Sequence, residues 1–231
     1  MQLEQQARIK RMKKLALFGA GDLGSEVLEL LYQCRRSTSF AYDEVFFVDD
    51  SSSAIAPDGL RLLNFEGVVS EAATHDVSAI VCIGEPLKRR EVAERLTKAG
   101  ISLATLVHPS VEIPESARLG SGCIVYRDSY IGPNTSIGEN TLIIRDFIAH
   151  NCRIGANCVF NANVTLACHV NVGDQSFLSI GSMVKEGVSI GERVIVGVGA
   201  AVFLDVEDDL YVVGNPARPM RRNEDQIVFR G

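Results

Sequence analysis

Aliphatic residues recur at every sixth position through the C-terminal half of the chain. They stand at Leu119, Val125, Ile131 and Ile137 and then, after a slip of one residue, at Ile148, Ile154, Phe160, Leu166, Val172, Leu178, Val184, Ile190, Val196 and Val202. A helix repeats every 3.6 residues and a strand every two, so neither produces this spacing. Hexapeptide repeats predict a parallel β-helix, whose short strands line flat walls and whose coils bury their apolar faces only by stacking on one another. Two further registers run in phase. Two positions before the repeat stand small or β-branched side chains (Ala117, Cys123, Ser129, Thr135, Cys152, Cys158, Val164, Val170, Ser176, Ser182, Val188, Val194 and Ala200), which suit the corners of a narrow interior. Immediately after it glycine recurs, at Gly120, Gly132, Gly138, Gly155, Gly173, Gly191 and Gly197, where a turn requires positive φ or a missing side chain. A sandwich of short strands would instead alternate with period two and turn every 8–12 residues or so.

The first half reads as an α/β unit. Leu15 to Phe18 has the length and apolarity of a buried strand, followed by Gly19-Ala20-Gly21-Asp22-Leu23-Gly24 and a helical stretch from Ser25 to Cys34. A second strand, Val45 to Val48, ends in Asp49-Asp50. A third, Ala79 to Ile83, ends at Gly84 and leads into a helix with Pro86 near its start and Gly100 past its end. Ile101 to Val107 runs into His108-Pro109, a domain hinge. The chain thus divides into a polar leader over 1–14, an α/β domain over 15–107, and a β-helix with a C-terminal tail over 108–231. Strand, glycine loop, helix and acidic strand end form the arrangement that receives phosphate on a helix N-terminus and a ribose hydroxyl on a carboxylate. The domain holds about half the strands of a full dinucleotide fold, which points to one nucleotide, with or without an attached sugar.

Composition narrows this further. In 231 residues, 46% hydrophobic content is enough for cores in two modest domains, and a net charge of −6 argues against a nucleic-acid binder. The basic run of Arg8, Lys10, Arg11, Lys13 and Lys14 sits in the leader and reads as a solvated tail. No apolar segment there resembles a signal peptide, and no span elsewhere is long enough for a transmembrane helix. The six cysteines show no CxxC pair, and Cys123, Cys152 and Cys158 already have packing positions, so a reducing cytoplasm is expected and a metal site is not.

The motifs Gly19 to Gly24, Phe47-Val48-Asp49-Asp50, Ile83-Gly84 with Arg89, His108-Pro109, His150-Asn151-Cys152-Arg153-Ile154-Gly155 and Gly214-Asn215-Pro216-Ala217, in this order, carry a resemblance. The chain is similar to the hexapeptide-repeat acyltransferases grouped as sialic acid O-acetyltransferase-like, which include nucleotide-amino-sugar N-acetyltransferases. The resemblance covers nearly everything after the leader. It implies a Rossmann-like first domain, a left-handed β-helix, a homotrimer and acetyl-CoA bound between neighbouring β-helices. By position it implies a nucleotide-sugar pocket of Gly19, Gly21, Gly24, Asp49, Asp50, Gly84 and Arg89, with Arg89 on phosphate. It likewise implies an acetyl-CoA groove of Asn161, Ile180, Gly197, Val198, Gly214 and Pro216.

Acetyl transfer needs a base for the proton of the attacking amine or hydroxyl, and histidine suits the task. His150 follows the Ile148 repeat position by two and is expected to point out of the coil. The resemblance makes it the general base, oriented by Asn151, with a main-chain N–H near a coil turn facing the oxyanion. His169 is also outward and is the weaker candidate; His75 and His108 precede the coils and read as structural or surface residues. Three positions depart from the family's pattern: Asn151 replaces a carboxylate, Val159 a second histidine and Cys168 a glycine. The leading expectation is N-acetylation of a nucleotide-linked amino sugar for surface glycans. The alternatives are O-acetylation of sialic acid or another sugar, and a catalytically inactive sugar-nucleotide scaffold. An oxidoreductase would need a second catalytic domain where the β-helix stands.

Overall fold

The computed structural model describes residues 11–37 and 41–229. The first domain is built on a five-stranded parallel sheet of order β3-β2-β1-β4-β5. Its elements are β1 (Lys13–Phe18), α1 (Asp22–Ser37), β2 (Glu44–Val48), β3 (Leu62–Leu63), α2 (Phe65–Thr74), β4 (Asp76–Val81), α3 (Pro86–Lys98) and β5 (Ser102–Leu103). Alternate residues of β1 feed two cores: Leu15 and Leu17 pack with α1, Ala16 and Phe18 with α2 and α3. The strand order reverses between β1 and β4, and the glycine loop and Gly84 lie at that crevice, where open α/β sheets take their ligands.

Several sequence expectations shift. Arg8 and Lys10 lie outside the described residues. Lys13 and Lys14, expected in the solvated leader, open β1, and Lys14 is buried against Glu44 at 2.9 Å and Glu71 at 2.8 Å. The first helix starts three residues earlier than expected, so Gly24 lies inside its first turn. β3 and α2 have no counterpart in the sequence reading. The local signal for α2 is Asn64, whose side chain caps the helix by accepting from the Gly67 N–H at 2.9 Å.

From β6 (Leu106–Val107) onward the chain winds a three-walled parallel β-helix. Each rung is a two-residue strand whose second member is the six-residue repeat position, and these members form one continuous core. Ile143 belongs to the series, which places the slip between Ile143 and Ile148. Cys123, Cys152 and Cys158 are fully buried, as their register requires.

The repeat glycines sharpen one expectation. None of the seven has positive φ. That conformation falls instead three residues before the next repeat, at Asp128, Asn134, Asn140, Arg145, Asn151, Asn157, Asn163, His169 and their equivalents. Asparagine tolerates this left-handed region better than most side chains. The glycines are there because the coil above passes too close: a Cβ at Gly138 would sit 2.5 Å from the Ala156 nitrogen and from the Gly155 carbonyl carbon.

The first residue of each rung points outward, and its chemistry differs by wall. Wall 1 shows Arg118, Ser136, Arg153, Asn171 and Ser189. Wall 2 shows Ile124, Leu142, Val159, Phe177 and Ile195, all buried in a core shared with α1. This seam holds the two domains together. Wall 3 shows Tyr130, Phe147, Thr165, Met183 and Ala201; Tyr130, Phe147 and Met183 are about half exposed, and the two aromatic rings stack at 4.8 Å. Wall 1 is solvated, wall 2 is occupied, and wall 3 is an apolar face in the open. Among the described residues no helix is long and apolar enough to cross a membrane.

The coil-to-coil contact at the repeat glycines is testable. Gly138→Ala is expected to cost about 1–3 kcal/mol, because the backbone of the next coil must move. Urea unfolding would show it as a lower midpoint with an unchanged slope.

Candidate active site

The three glycines of the first loop have separate tasks. Gly19 turns with φ of 110°, and a Cβ there would lie 2.6 Å from the Cys82 carbonyl oxygen. Gly24 lets α1 close on the loop, since a Cβ would lie 2.2 Å from the Gly19 oxygen. Gly21 has open space around it and is exposed, which leaves the main chain there approachable by a ligand at the first turn of α1. Asp49 braces this loop: its carboxylate accepts from the N–H groups of Ala20 and Ser51, each at 2.9 Å. Asp50 is turned to the other side, accepting from the Phe65 N–H at 2.9 Å and pairing with Arg95 at 3.0 Å. Gly84 lines a cavity of about 510 Å³ with Asp22, Glu26, Val159, Phe177 and Phe229.

Arg89 does not reach this cavity. It is fully buried: Nε donates to the Asn140 carbonyl at 2.6 Å, and Nη1 donates to the carbonyls of Val81 at 2.7 Å and Ile83 at 3.0 Å. Burial lowers its pKa to about 10, so it remains cationic at neutral pH. Asn140 answers by donating its side-chain N–H to the Arg89 carbonyl at 3.1 Å. The expected phosphate ligand is thus a bolt between the end of β4 and a corner of the β-helix.

His150 lies at the corner between walls 3 and 1 and is exposed, as its phase requires. The Asn151 amide lies 2.8 Å from its Nδ1. As the amide nitrogen is placed it donates to Nδ1. Rotation of the amide by a half-turn presents the oxygen, which accepts from Nδ1–H and leaves the Nε2 lone pair free to take a proton. Nε2 has no hydrogen-bond partner among the described residues. His169 stands one coil on, its ring edge-on to His150 at 5.5 Å, and its main-chain N–H donates to the His150 carbonyl at 3.2 Å. His75 pairs with Glu71 at 3.2 Å, and His108 Nδ1 lies 2.8 Å from the Ser110 hydroxyl; both are far from this corner in the chain's winding and belong to local turns.

The groove residues fall elsewhere. Ile180 and Val198 occupy the corner between walls 2 and 3 in successive coils, with Val198 75% exposed, and Gly214 and Pro216 join them in the exposed turn before the last strand, Arg218–Arg222. Gly197 lies beneath, packed on Val213. The open positive-φ glycines Gly181 and Gly199 leave an uncrowded floor beside the two aliphatic side chains. Asn161 parts from this group and lines the Gly84 cavity. Val159 is likewise buried on wall 2, where a histidine would be desolvated. Within one chain, wall 3 separates His150 from Ile180 and Val198.

The sequence reading passes over Asp146. It stands two positions before Ile148, where the register asks for a small residue, and it is buried in the shortened corner. Its carboxylate accepts from the N–H groups of Ile144 at 2.9 Å and Val164 at 2.8 Å; burial pushes its pKa up to about 8, against the pull of those two bonds. A charged residue in a core register, beside the slip, was the available signal. Glu85 and Phe229, which flank the Gly84 cavity, carry no periodic signal.

Comparison with known proteins finds counterparts for both domains. Residues 14–96 match the PglD N-terminal domain. The chain is 28% identical over 223 residues to GDP-perosamine N-acetyltransferase of Escherichia coli O157:H7, spanning 94% of this chain and all of that one. It superposes with a TM-score of 0.82 and 28% identity on a histidine-to-asparagine mutant of perosamine N-acetyltransferase from Caulobacter crescentus in complex with CoA and GDP-perosamine, covering 90% and 97% of the two chains. The acetyltransferase domain of PglB from Neisseria gonorrhoeae, in complex with acetyl coenzyme A, shares the fold at a TM-score of 0.81 and 24% identity, over 90% and 98%. The β-helix is accordingly left-handed.

The reassignment of Arg89 has a direct test. Arg89→Ala should lower the urea midpoint by an amount equivalent to about 2–4 kcal/mol, since it strands buried carbonyls. An unchanged midpoint with lost nucleotide affinity would restore the phosphate role.

Proposed function

We propose that this chain, which resembles the hexapeptide-repeat nucleotide-amino-sugar N-acetyltransferases over nearly its whole length, moves an acetyl group from acetyl-CoA to the amine of a nucleotide-linked amino sugar related to GDP-perosamine. The observation that carries this reading is His150: an exposed imidazole at a β-helix corner, fixed through Nδ1 by Asn151, with Nε2 free. Bound acetyl-CoA supplies the activated thioester carbonyl. His150 Nε2 takes the proton from the amine as nitrogen attacks, then delivers it to the departing thiolate sulfur, so the proton count closes without a metal. Asn151 holds the ring in place but, lacking charge, gives the imidazolium less support than a carboxylate would.

The nucleotide would rest at Gly19, Gly21 and the first turn of α1, with its sugar directed toward Gly84; Ile180, Val198, Gly214 and Pro216 would line the CoA groove. His150 and this groove lie on opposite edges of wall 3, which supports a homotrimer. A neighbour seated on Tyr130, Phe147 and Met183 borders both edges and can bring its groove to this chain's His150. Five of the six cysteines are buried, where a thiol packs as a small hydrophobe, which supports a reducing cytoplasmic setting.

His150→Ala should lower kcat with GDP-perosamine by a hundredfold or so, or more, with the fold retained; turnover near wild type would remove the histidine from the mechanism. Phe147→Asp should convert the trimer into monomer by light scattering and abolish transfer, and a wild-type protein that sizes as a monomer would refute the shared site. A screen of GDP-, UDP- and dTDP-linked amino sugars against free sialic acid, followed by thiol release from acetyl-CoA, identifies the acceptor.

A further inference from the structure

The chain does not leave the molecule after Arg218–Arg222. Asn223 is buried beneath that strand, its N–H donating to the Asp209 carbonyl at 2.8 Å and its side chain to the Arg193 carbonyl at 2.9 Å. From there the tail crosses back to the first domain. The main-chain N–H groups of Val228 and Phe229 both donate to the Glu85 carboxylate at 3.1 Å. Glu85 is the N-cap residue of α3, yet its side chain makes no capping bond; it is given to the tail instead. Val228 packs into the core between α1 and wall 2. The Phe229 ring meets Phe177 edge-on at 5.4 Å and lies 3.7 Å from where a Gly84 Cβ would be, while 59% of the residue stays exposed.

An apolar ring held by two charge-assisted bonds and left more than half bare is placed for a partner outside its own core. What it faces is the cavity of about 510 Å³ at the strand crevice, which it lines without filling. That cavity is also lined by Asp22 and Glu26, four residues apart on one face of α1, and by Asn161. Carboxylates repel phosphate but accept from hydroxyl and ammonium groups, and an aromatic ring packs against the C–H face of a pyranose. The chemistry is that of a sugar subsite with an amine.

We propose that the C-terminal tail is a built wall of the acceptor pocket: Phe229 packs on the ring of the amino sugar, and Glu85 acts as the positioning residue that seats it. This rests on the acetyltransfer reading, and it adds to it the residues that select the sugar.

Kinetics and calorimetry with GDP-perosamine on the full chain test the wall. Phe229→Ala should raise the KM and Kd for GDP-perosamine by tenfold or so while leaving the KM for acetyl-CoA unchanged, and Phe229→Tyr should restore both. Glu85→Gln should raise acceptor KM by about threefold and speed amide hydrogen exchange at residues 228 and 229 before any nucleotide is added. An acceptor KM within twofold of wild type in Phe229→Ala overturns the proposal, and so does a lower one, which would mean that the tail obstructs the pocket. If wild type binds GDP-perosamine but transfers no acetyl group, the acetyltransfer reading fails, and the calorimetric comparison of wild type with Phe229→Ala still decides the tail. If wild type binds none of the screened nucleotide sugars, both fall.

Discussion

A coil of this β-helix has no core of its own. Its apolar residues are covered only when another coil lies directly above, with strands in register and with no side chain intruding where the two backbones pass. That condition governs the rest. It explains why glycine recurs where a Cβ would strike the next coil, why left-handed corners carry Asn, and why fully buried thiols line the interior. It also makes the outward column of each wall a separate surface. Wall 2 spends that freedom on joining the α/β domain, and so brings the Gly84 crevice against the β-helix.

Where a property depends on repetition, it can be read from the chain. The repeat position, the small interior corners and the outward phase of His150 follow from counting, because a solenoid maps sequence position onto a wall. The glycine loop was legible for a different reason: strand, turn and helix succeed one another within a few residues, and Gly19, Gly21 and Gly24 meet only local demands. The limits appear where residues distant in sequence decide a role. Arg89 carries a charge that suits phosphate, but Asn140, Val81 and Ile83 converge on it in space, and no local pattern announces this. Asn161 sits in the same column as Gly197 and yet borders the Gly84 cavity, because the first domain leans on wall 2 at that level. The tail is a further case: Glu85, which holds it, lies 143 positions before Val228 and 144 before Phe229.

The candidate site is a division of labour between rigid parts. In the proposed arrangement the acceptor crevice belongs to the α/β sheet, the base to one edge of wall 3 and the groove to the other. Each is fixed by main-chain architecture, so the distances that matter to transfer are set before any substrate arrives. Asn151, where the family's pattern has a carboxylate, fits such a site, since its uncharged amide lies against Nδ1 and can orient the ring without adding charge to the corner.

The shortened corner between Ile143 and Ile148 gives the coil that leads to His150 seventeen residues, from Ile131 to Ile148, where its neighbours have eighteen. Buried Asp146 accepts from one amide within that corner, Ile144, and from one on the next coil, Val164. A comparison that slides the sequence along itself without gaps therefore loses phase at this point and reports two short arrays in place of one solenoid. The break ends two residues before His150. In this chain the proposed base stands just past the place where its own repeat is hardest to align.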